Sequence, residues 1–184
     1  MANTLSLMLA LGTPAPAFSL PDPAGRLWSL AEIRGKHGVL VLFICNHCPF
    51  VIHVAAELAR IGRDFAALGI GVVAINSNDV EHYPADRPEL MAVESKQRGY
   101  TFPYLYDATQ EVARAYHAAC TPDIFLFDAN LLLVYRGQLD AARPGNGIAV
   151  SGHDLRQAAT AMVRGEPVSS LQTPSIGCNI KWRR

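Results

Sequence analysis

The sequence predicts an α/β fold in which helices flank a central mixed β-sheet and a β-hairpin extends the N-terminus. Three observations indicate this fold. The run Val39–Ile44 is apolar at every position, as a strand buried on both faces requires. After Pro49, apolar residues recur at spacings of three and four, which is typical of one helix face. A second apolar run, Ile70–Ile75, completes a βαβ unit, so the two strands should be parallel.

Turn and cap residues locate the remaining elements. Prolines and a glycine between two short apolar pieces predict the N-terminal hairpin, and Asp128, Ala129 and Asn130 predict the turn of a second one. Gly99 and Gly165 each stand where a helix should end. The predicted elements are hairpins over 18–30 and 123–135 and helices over about 89–98, 110–118 and 153–164.

The length and composition fit one domain. With 184 residues, of which 50% are hydrophobic, the chain can bury one core. We therefore expect a single domain over 1–184, in which 1–35 form an N-terminal extension and 166–184 form a tail without a clear period.

The charge balance limits the partners. Lys and Arg total 16 and Asp and Glu total 16, so no net positive field attracts nucleic acid or an anionic membrane. No apolar run reaches the roughly 18 residues of a membrane span. The apolar piece Leu5–Leu11 precedes the first basic residue, Arg26, whereas a secretory signal begins with positive charge. We expect a cytoplasmic protein that binds neither nucleic acid nor a membrane.

Cys45 and Cys48 form a C-x-x-C at the junction of the first central strand and its helix. Pro49 favours the first helical turn, so both sulfurs should lie at the helix N-terminus, where backbone amides stabilise a thiolate. We expect Cys45 to be the more exposed thiol, with a pKa below 7, and His47 to add to the helix effect. The alternatives are two sulfurs that only pack in the core and an exposed His47 without an electrostatic role.

The order of elements around the C-x-x-C resembles the thioredoxin fold with the N-terminal hairpin of its peroxiredoxin-like, AhpC/TSA-related branch. Two further segments resemble that subgroup, SNDVEHYPADRPELM and IGCNIKW. The resemblance implies that Cys45 and Cys48 are catalytic, that Asn46, His47 and Pro49 support them, and that no cofactor is required.

The resemblance also implies a supporting role for the segment before the third central strand. Thioredoxin-like proteins have a proline there, usually cis, and the backbone before it faces the dithiol and pairs with the substrate chain. Here these residues are Pro122 and Thr121.

Two family features are absent. The peroxidatic motif P-x-x-x-T-x-x-C, aligned on Cys48, places Val41 at the proline and Cys45 at the threonine. Peroxidase chemistry by that mechanism is therefore not expected. Arg136 is either a substitute cation or a solvated arginine at a strand end. The acid that thioredoxin carries beneath its dithiol is replaced by Val39.

Other groups around the dithiol have open roles. Without the acid, deprotonation of Cys48 requires water or His53. Cys120 and Cys178 are possible accessory thiols that form a structural disulfide, act as a resolving pair or stay reduced. Four cysteines in this chain are too few for a disulfide scaffold.

The leading hypothesis is a thiol–disulfide oxidoreductase that exchanges disulfides through Cys45 and Cys48. Its partners would be a disulfide-containing protein or a small thiol substrate and a cellular thiol reductant. One alternative is a thiol-dependent peroxidase. The other is a copper or zinc binding protein that uses the same cysteines with His47 or His53. No resident metal is expected, since a structural zinc site needs four ligands.

Overall fold

The structure is a computed structural model that describes residues 3–183. The strands are β1 Asn3–Leu5, β2 Ser19–Pro21, β3 Leu27–Ser29, β4 Gly38–Phe43, β5 Ile70–Asn76, β6 Tyr104–Tyr106, β7 Cys120–Thr121, β8 Asp123–Asp128, β9 Leu133–Arg136 and β10 Ile176–Asn179. The helices are α1 Leu30–Ile33, α2 Pro49–Ala67, α3 Pro88–Arg98, α4 Glu111–Ala115 and α5 His153–Val163, with a 3-10 turn at Pro84–Asp86. No helix in the described range is long and apolar enough to cross a bilayer.

The central sheet is mixed, as predicted, with the strand order β6-β5-β4-β8-β9. The β5–β6 pair is parallel, and the β4–β8 and β8–β9 pairs are antiparallel. Beside β4 and β5, His37 N donates to Gly69 O at 2.9 Å and Ile44 N donates to Ile75 O at 3.0 Å. Residue numbers rise on both strands from the first of these hydrogen bonds to the second, so β4 and β5 are parallel. The predicted βαβ unit is therefore confirmed.

Every residue of β4 is buried, since its side chains supply both faces of the core. Leu40 and Leu42 pack in one cluster with residues of α2 and α5. Val41 and Phe43 point the other way, into a second cluster that contains Tyr116. The alternation of side chains along a strand thus explains why the run is apolar at every position.

The predicted elements are present, with small changes of boundary. The two hairpins are β2–β3 and β8–β9. The helix predicted for 110–118 is shorter and spans only Glu111–Ala115. The prediction is incomplete for the tail, because Ile176–Asn179 form β10, which pairs with β1 on one side and β7 on the other. A strand of four residues is too short for a period to show in the sequence.

Gly177 lets β10 approach the backbone of β7 closely. A Cβ atom built at this position would lie 2.0 Å from the carbonyl oxygen of Thr121. Only glycine tolerates such an approach, and it places the two neighbouring strands in direct contact.

We expect Gly177→Ala to lower the free energy of unfolding by about 1–3 kcal/mol, because the added methyl group overpacks the β7–β10 contact. Denaturant unfolding followed by circular dichroism measures it. The matched control is Asn179→Ala, an exposed position of the same strand, which should change the value by less than about 0.5 kcal/mol. Equal effects of the two substitutions would contradict the account of Gly177.

Candidate active site

The end of β4 and the start of α2 place Cys45 and Cys48 together. Cys48 is the N-cap residue of α2 and has extended backbone angles, φ −72° and ψ 122°, with Pro49 at the first helical position. Cys45 follows the end of β4 by two residues. Cys45 is 2% exposed and Cys48 0%. Cys45 is therefore the more exposed of the two thiols only by a small margin, because the chain itself covers both sulfurs.

Thr121 and β10 cover the dithiol from the opposite side. In its neutral form, Cys48 donates from Sγ to the carbonyl oxygen of Thr121 at 3.1 Å, and the hydroxyl of Thr121 lies 3.5 Å from the sulfur of Cys45. The Thr121–Pro122 peptide bond is cis, as the resemblance implied. In β10, Cys178 is the residue directly opposite Thr121. The backbone expected to pair with a substrate chain thus pairs with the chain's own C-terminal strand.

The two thiols of the C-x-x-C share one negative charge, which the surroundings direct to Cys48. The pKa of Cys48 is lowered to about 4, first because the thiol of Cys45 donates to its sulfur, and then because Cys178 and Thr121 donate as well. Burial raises the pKa of Cys48 and the carbonyl of Thr121 also opposes the charge, but the four donors (the thiols of Cys45 and Cys178, the Thr121 hydroxyl and the Cys178 N–H) outweigh both.

The hydrogen bond between the two thiols has the opposite effect on the pKa of Cys45. It raises the pKa of Cys45 well above its ordinary value, and burial and the negative charge of Asp86 raise it further. The predicted pKa below 7 for Cys45 is therefore wrong as an assignment to that residue. The error has a simple cause, since a helix N-terminus stabilises a thiolate without determining which of two adjacent sulfurs carries it.

A buried carboxylate, which the sequence did not single out, holds the residues between the two cysteines. Asp86 is 0% exposed and accepts from the backbone N–H of Asn46 at 2.8 Å and from the side chain of Asn78 at 2.8 Å. Asn46 also donates to the carbonyl of Ala85 at 2.9 Å and accepts from the hydroxyl of Tyr104 at 3.0 Å. These bonds hold the loop between the two cysteines against the 3-10 turn.

His47 interacts primarily with Asp86 and not with Cys45. Its Nδ1 lies 2.7 Å from Oδ2 of Asp86, close enough for an ion pair although out of line for a straight hydrogen bond. This contact raises the pKa of His47. The ring also stacks on Tyr83, with 5.8 Å between centroids. The prediction that His47 lowers the pKa of Cys45 is therefore wrong. His47 pairs with Asp86, and the negative charge of Asp86 raises the pKa of Cys45.

Asp123 is a second buried carboxyl group near the dithiol. It pairs with Phe43 across the sheet and accepts from the N–H of Ala119 at 3.0 Å, whereas its Oδ1 has no hydrogen-bond partner within the described range. Burial raises its pKa to about 7 and also raises the pKa of neighbouring Cys120. The position of the thioredoxin acid is apolar here, as predicted, but the adjacent strand β8 supplies a buried acid of its own.

The structure locates two of the residues whose roles were open, Arg136 and His53. The guanidinium of Arg136 donates to Leu9 O at 2.8 Å and to Gln172 Oε1 at 2.7 Å, so it is neither a cation at the dithiol nor a solvated strand end. Nε2 of His53 is buried without a hydrogen-bond partner among residues 3–183. It borders a cavity of about 20 Å³ beside Pro122, which has room for about one water molecule.

The group of possible metal ligands is separate from the residues that line the larger cavity. Cys45, His47 and Asp86 offer ligand atoms within 4.8 Å of one another, and sulfur, nitrogen and oxygen ligands suit zinc. His53, which the sequence hypothesis included, is outside this group.

A cavity of about 890 Å³ lies along α5 and residues 166–173, and none of the four cysteines lines it.

We expect the ultraviolet absorbance of the reduced protein to show one thiolate forming with a midpoint near pH 4. Cys45→Ala should raise this midpoint by about one pH unit or more, because it removes the first donor, and one unit corresponds to about 1.4 kcal/mol. Cys48→Ala should abolish the transition, and the control Cys120→Ala should leave it in place. A low midpoint that survives Cys48→Ala would place the charge on Cys45 instead.

We also expect Asp123 to make stability depend on pH. The folded protein holds the Asp123 proton up to about pH 7, whereas the unfolded chain releases it near the ordinary value of 3.8. Between these values the unfolded state binds fewer protons, so the free energy of unfolding falls by about 1.4 kcal/mol per pH unit as pH rises. Asp123→Asn should remove this slope in denaturant unfolding curves. A wild-type-minus-variant difference that is independent of pH across this window would contradict the assignment.

The sequence comparisons show the family of the chain. Residues 11–136 match the AhpC/TSA family. A candidate peroxiredoxin of Mycobacterium tuberculosis is 33% identical over 115 residues, which are 62% of this chain and 68% of that protein. Thiol-disulfide oxidoreductase ResA of Geobacillus thermodenitrificans is 32% identical over 126 residues, which are 66% of this chain and 66% of that protein.

The structure comparisons cover more of the chain. An uncharacterised conserved protein of Geobacillus kaustophilus matches with a TM-score of 0.97 and 51% identity, over 100% of this chain and 97% of that one. A candidate thiol:disulfide interchange protein of Chlorobium tepidum matches with a TM-score of 0.65 and 23% identity, over 84% of this chain and 99% of that one, and this likeness concerns the fold. The chain therefore belongs to the AhpC/TSA family and has the thioredoxin-like fold that the order of its elements predicted.

Proposed function

We propose that this protein is a thiol–disulfide oxidoreductase whose Cys45 and Cys48 alternate between a dithiol and a disulfide. The observation that carries the proposal is the hydrogen bond between the two thiols at the N-terminus of α2, which lowers the pKa of Cys48 to about 4. A thiolate is the reactive form in disulfide exchange, and the partner thiol is already in contact with it. The relative named as a thiol-disulfide oxidoreductase supports the same chemistry.

In the proposed mechanism, Cys45 is the attacking thiol. Its proton passes along the existing hydrogen bond to Cys48, and the Cys45 sulfur forms a bond to one sulfur of the substrate disulfide. The substrate S–S bond breaks, and its second sulfur leaves as a thiolate. Cys48 then gives up its proton to that thiolate and attacks Cys45, which releases the remaining substrate sulfur as a thiolate that takes a proton from water. The protein ends oxidised, the substrate ends reduced, and a cellular thiol reductant restores the dithiol.

The neighbours of the dithiol fit this sequence of steps. Asn46 and His47 are fastened to Asp86, so the loop between the cysteines keeps its shape while bonds form and break. Like the partly exposed Asn46, His47 reaches solvent, with 29% of its side chain exposed. It lies beside Cys45, which makes Cys45 the sulfur that a substrate meets first.

The strand pairing favours a small disulfide over a folded protein as substrate. A polypeptide substrate would have to pair with the backbone of Thr121, and β10 already occupies that position. A low-molecular-weight disulfide needs no such strand pairing and would only have to reach Cys45 beside the partly exposed His47. A protein substrate would first have to displace β10.

The two alternatives have less support. Cys48 carries a thiolate, as a peroxidase requires, but Val41, Cys45 and Arg136 do not supply the groups that orient a peroxide. A metal held by Cys45, His47 and Asp86 would engage the sulfur that the exchange reaction needs. Both alternatives are therefore outcomes that the following assay separates.

We expect the wild-type protein to reduce oxidised glutathione, and then insulin more slowly, when dithiothreitol is supplied. Cys45→Ser and Cys48→Ser should each reduce the rate by about 100-fold or more, because the two sulfurs act as a unit. Cys48→Ser should in addition retain glutathione as a mixed disulfide on Cys45, detectable by mass spectrometry. The control is Cys120→Ser, another buried cysteine, which should stay within about twofold of wild type.

Three results would contradict the proposal. Hydroperoxide consumption faster than disulfide reduction would favour the peroxidase. One equivalent of tightly held Zn²⁺ or Cu⁺ that protects Cys45 from alkylation would favour the metal-binding protein. Retention of glutathione by Cys45→Ser and not by Cys48→Ser would reverse the assigned roles of the two cysteines.

A further inference from the structure

Cys178 approaches the dithiol from the far end of the sequence. Its thiol and its backbone N–H both donate to the sulfur of Cys48. The side chain is 3% exposed, so this sulfur faces the interior and not solvent. A third thiol is therefore in contact with the dithiol, 130 positions along the chain from Cys48.

The backbone holds Cys178 in this position. β10 is the middle strand of a three-stranded sheet, between β1 and β7. Cys178 pairs with Asn3 on one side and with Thr121 on the other, and the carbonyl of Thr121 is the group that contacts Cys48. Gly177 permits the close approach of the two strands. Cys178 is thus presented to Cys48 by fixed backbone pairing.

We propose that Cys178 is a third redox thiol of this site, which exchanges with the Cys45–Cys48 disulfide to form a Cys48–Cys178 disulfide. The proposal rests on the function proposed above, because turnover with a substrate produces the Cys45–Cys48 disulfide.

The exchange needs no further oxidant. The sulfur of Cys178 attacks the sulfur of Cys48, the Cys45–Cys48 bond breaks, and its electron pair stays on Cys45. The proton of Cys178 moves to Cys45, which becomes a thiol again. One disulfide is consumed and one is formed, so the number of electrons held by the protein is unchanged.

The exchange would protect the oxidised state. It moves the disulfide from the pair that includes Cys45, next to the exposed His47, to a pair enclosed between α2 and β10. Cys45 returns to the thiol form while the oxidising equivalent is stored on the buried side. Cys120 differs from Cys178, since its sulfur is directed to the carbonyl of Pro122 at 3.5 Å.

Peptide mapping of the full-length protein tests the proposal. Trypsin cleaves after Lys36, Arg60, Arg164 and Lys181, so Cys45 and Cys48 share peptide 37–60 while Cys178 lies in peptide 165–181. The protein is oxidised with oxidised glutathione, quenched in acid, alkylated with N-ethylmaleimide and digested. A Cys45–Cys48 disulfide leaves peptide 37–60 alone and lighter by two hydrogens. A Cys48–Cys178 disulfide joins the two peptides.

We expect the joined peptides to make up at least about one tenth of the oxidised protein, which corresponds to a free-energy difference of about 1.4 kcal/mol or less between the two disulfides. Fragmentation should find the alkyl group on Cys45. The joined species should be absent from Cys178→Ser, which should still form the disulfide within 37–60, and present in the control Cys120→Ser.

Two results would overturn the inference, and they differ from each other. If wild type forms only the disulfide within 37–60 and Cys178 is fully alkylated, the dithiol functions and Cys178 is a structural thiol. If no disulfide forms in 37–60 and glutathione is not reduced, the function proposed above fails as well. The main measurement is the disulfide pattern of the wild-type protein, so the test remains valid even if a variant fails to fold.

Discussion

The contact between the sulfur of Cys48 and the backbone of Thr121 is the interaction on which the rest of the site depends. It joins the start of α2 to the strand that precedes the cis proline, and β10 pairs with the same strand. Gly177 is necessary for this arrangement because a side chain there would separate the strands. The sheet therefore determines at once where the dithiol lies, how deeply it is buried and which thiol stands beside it.

The electrostatics of the site follow from this geometry. Four donors converge on Cys48, whereas Cys45 faces Asp86, so two cysteines that look equivalent in the sequence differ in charge. Asp86 has two effects, since it fastens the loop through Asn46 and disfavours a thiolate at Cys45. Asp123 is the counterpart on the other side, a carboxyl group that burial keeps protonated to near neutral pH. The charges of Cys45, Cys48 and Asp123 are thus determined by burial, by neighbouring charges and by hydrogen bonds.

Much of the fold could be predicted because β4 and α2 are long enough to show their periods, and Pro49 marks the helix start. The position of the dithiol was accessible for the same reason, whereas the cis proline was implied by the resemblance to thioredoxin-like proteins. Strand β10 was not, because its four residues take their conformation from pairing with β1 and β7. Asp86 and Asp123 were missed because their burial depends on contacts far apart in sequence. The carboxylate between prolines in PADRP was the available signal for Asp86.

The central claim is that the surroundings of Cys48 stabilise the reduced dithiol as a thiolate, and the equilibrium reduction potential against glutathione tests it most directly. The pKa of Cys48, about 4, lies about three units below the value of about 7 for thioredoxin. Three units make a disulfide more oxidising by up to about 90 mV, since one unit is about 1.4 kcal/mol and 1.4 kcal/mol corresponds to about 30 mV. The account predicts a value of about −180 mV, compared with about −270 mV for thioredoxin. A potential at or below that of thioredoxin, or thiols that do not equilibrate with glutathione, would contradict it.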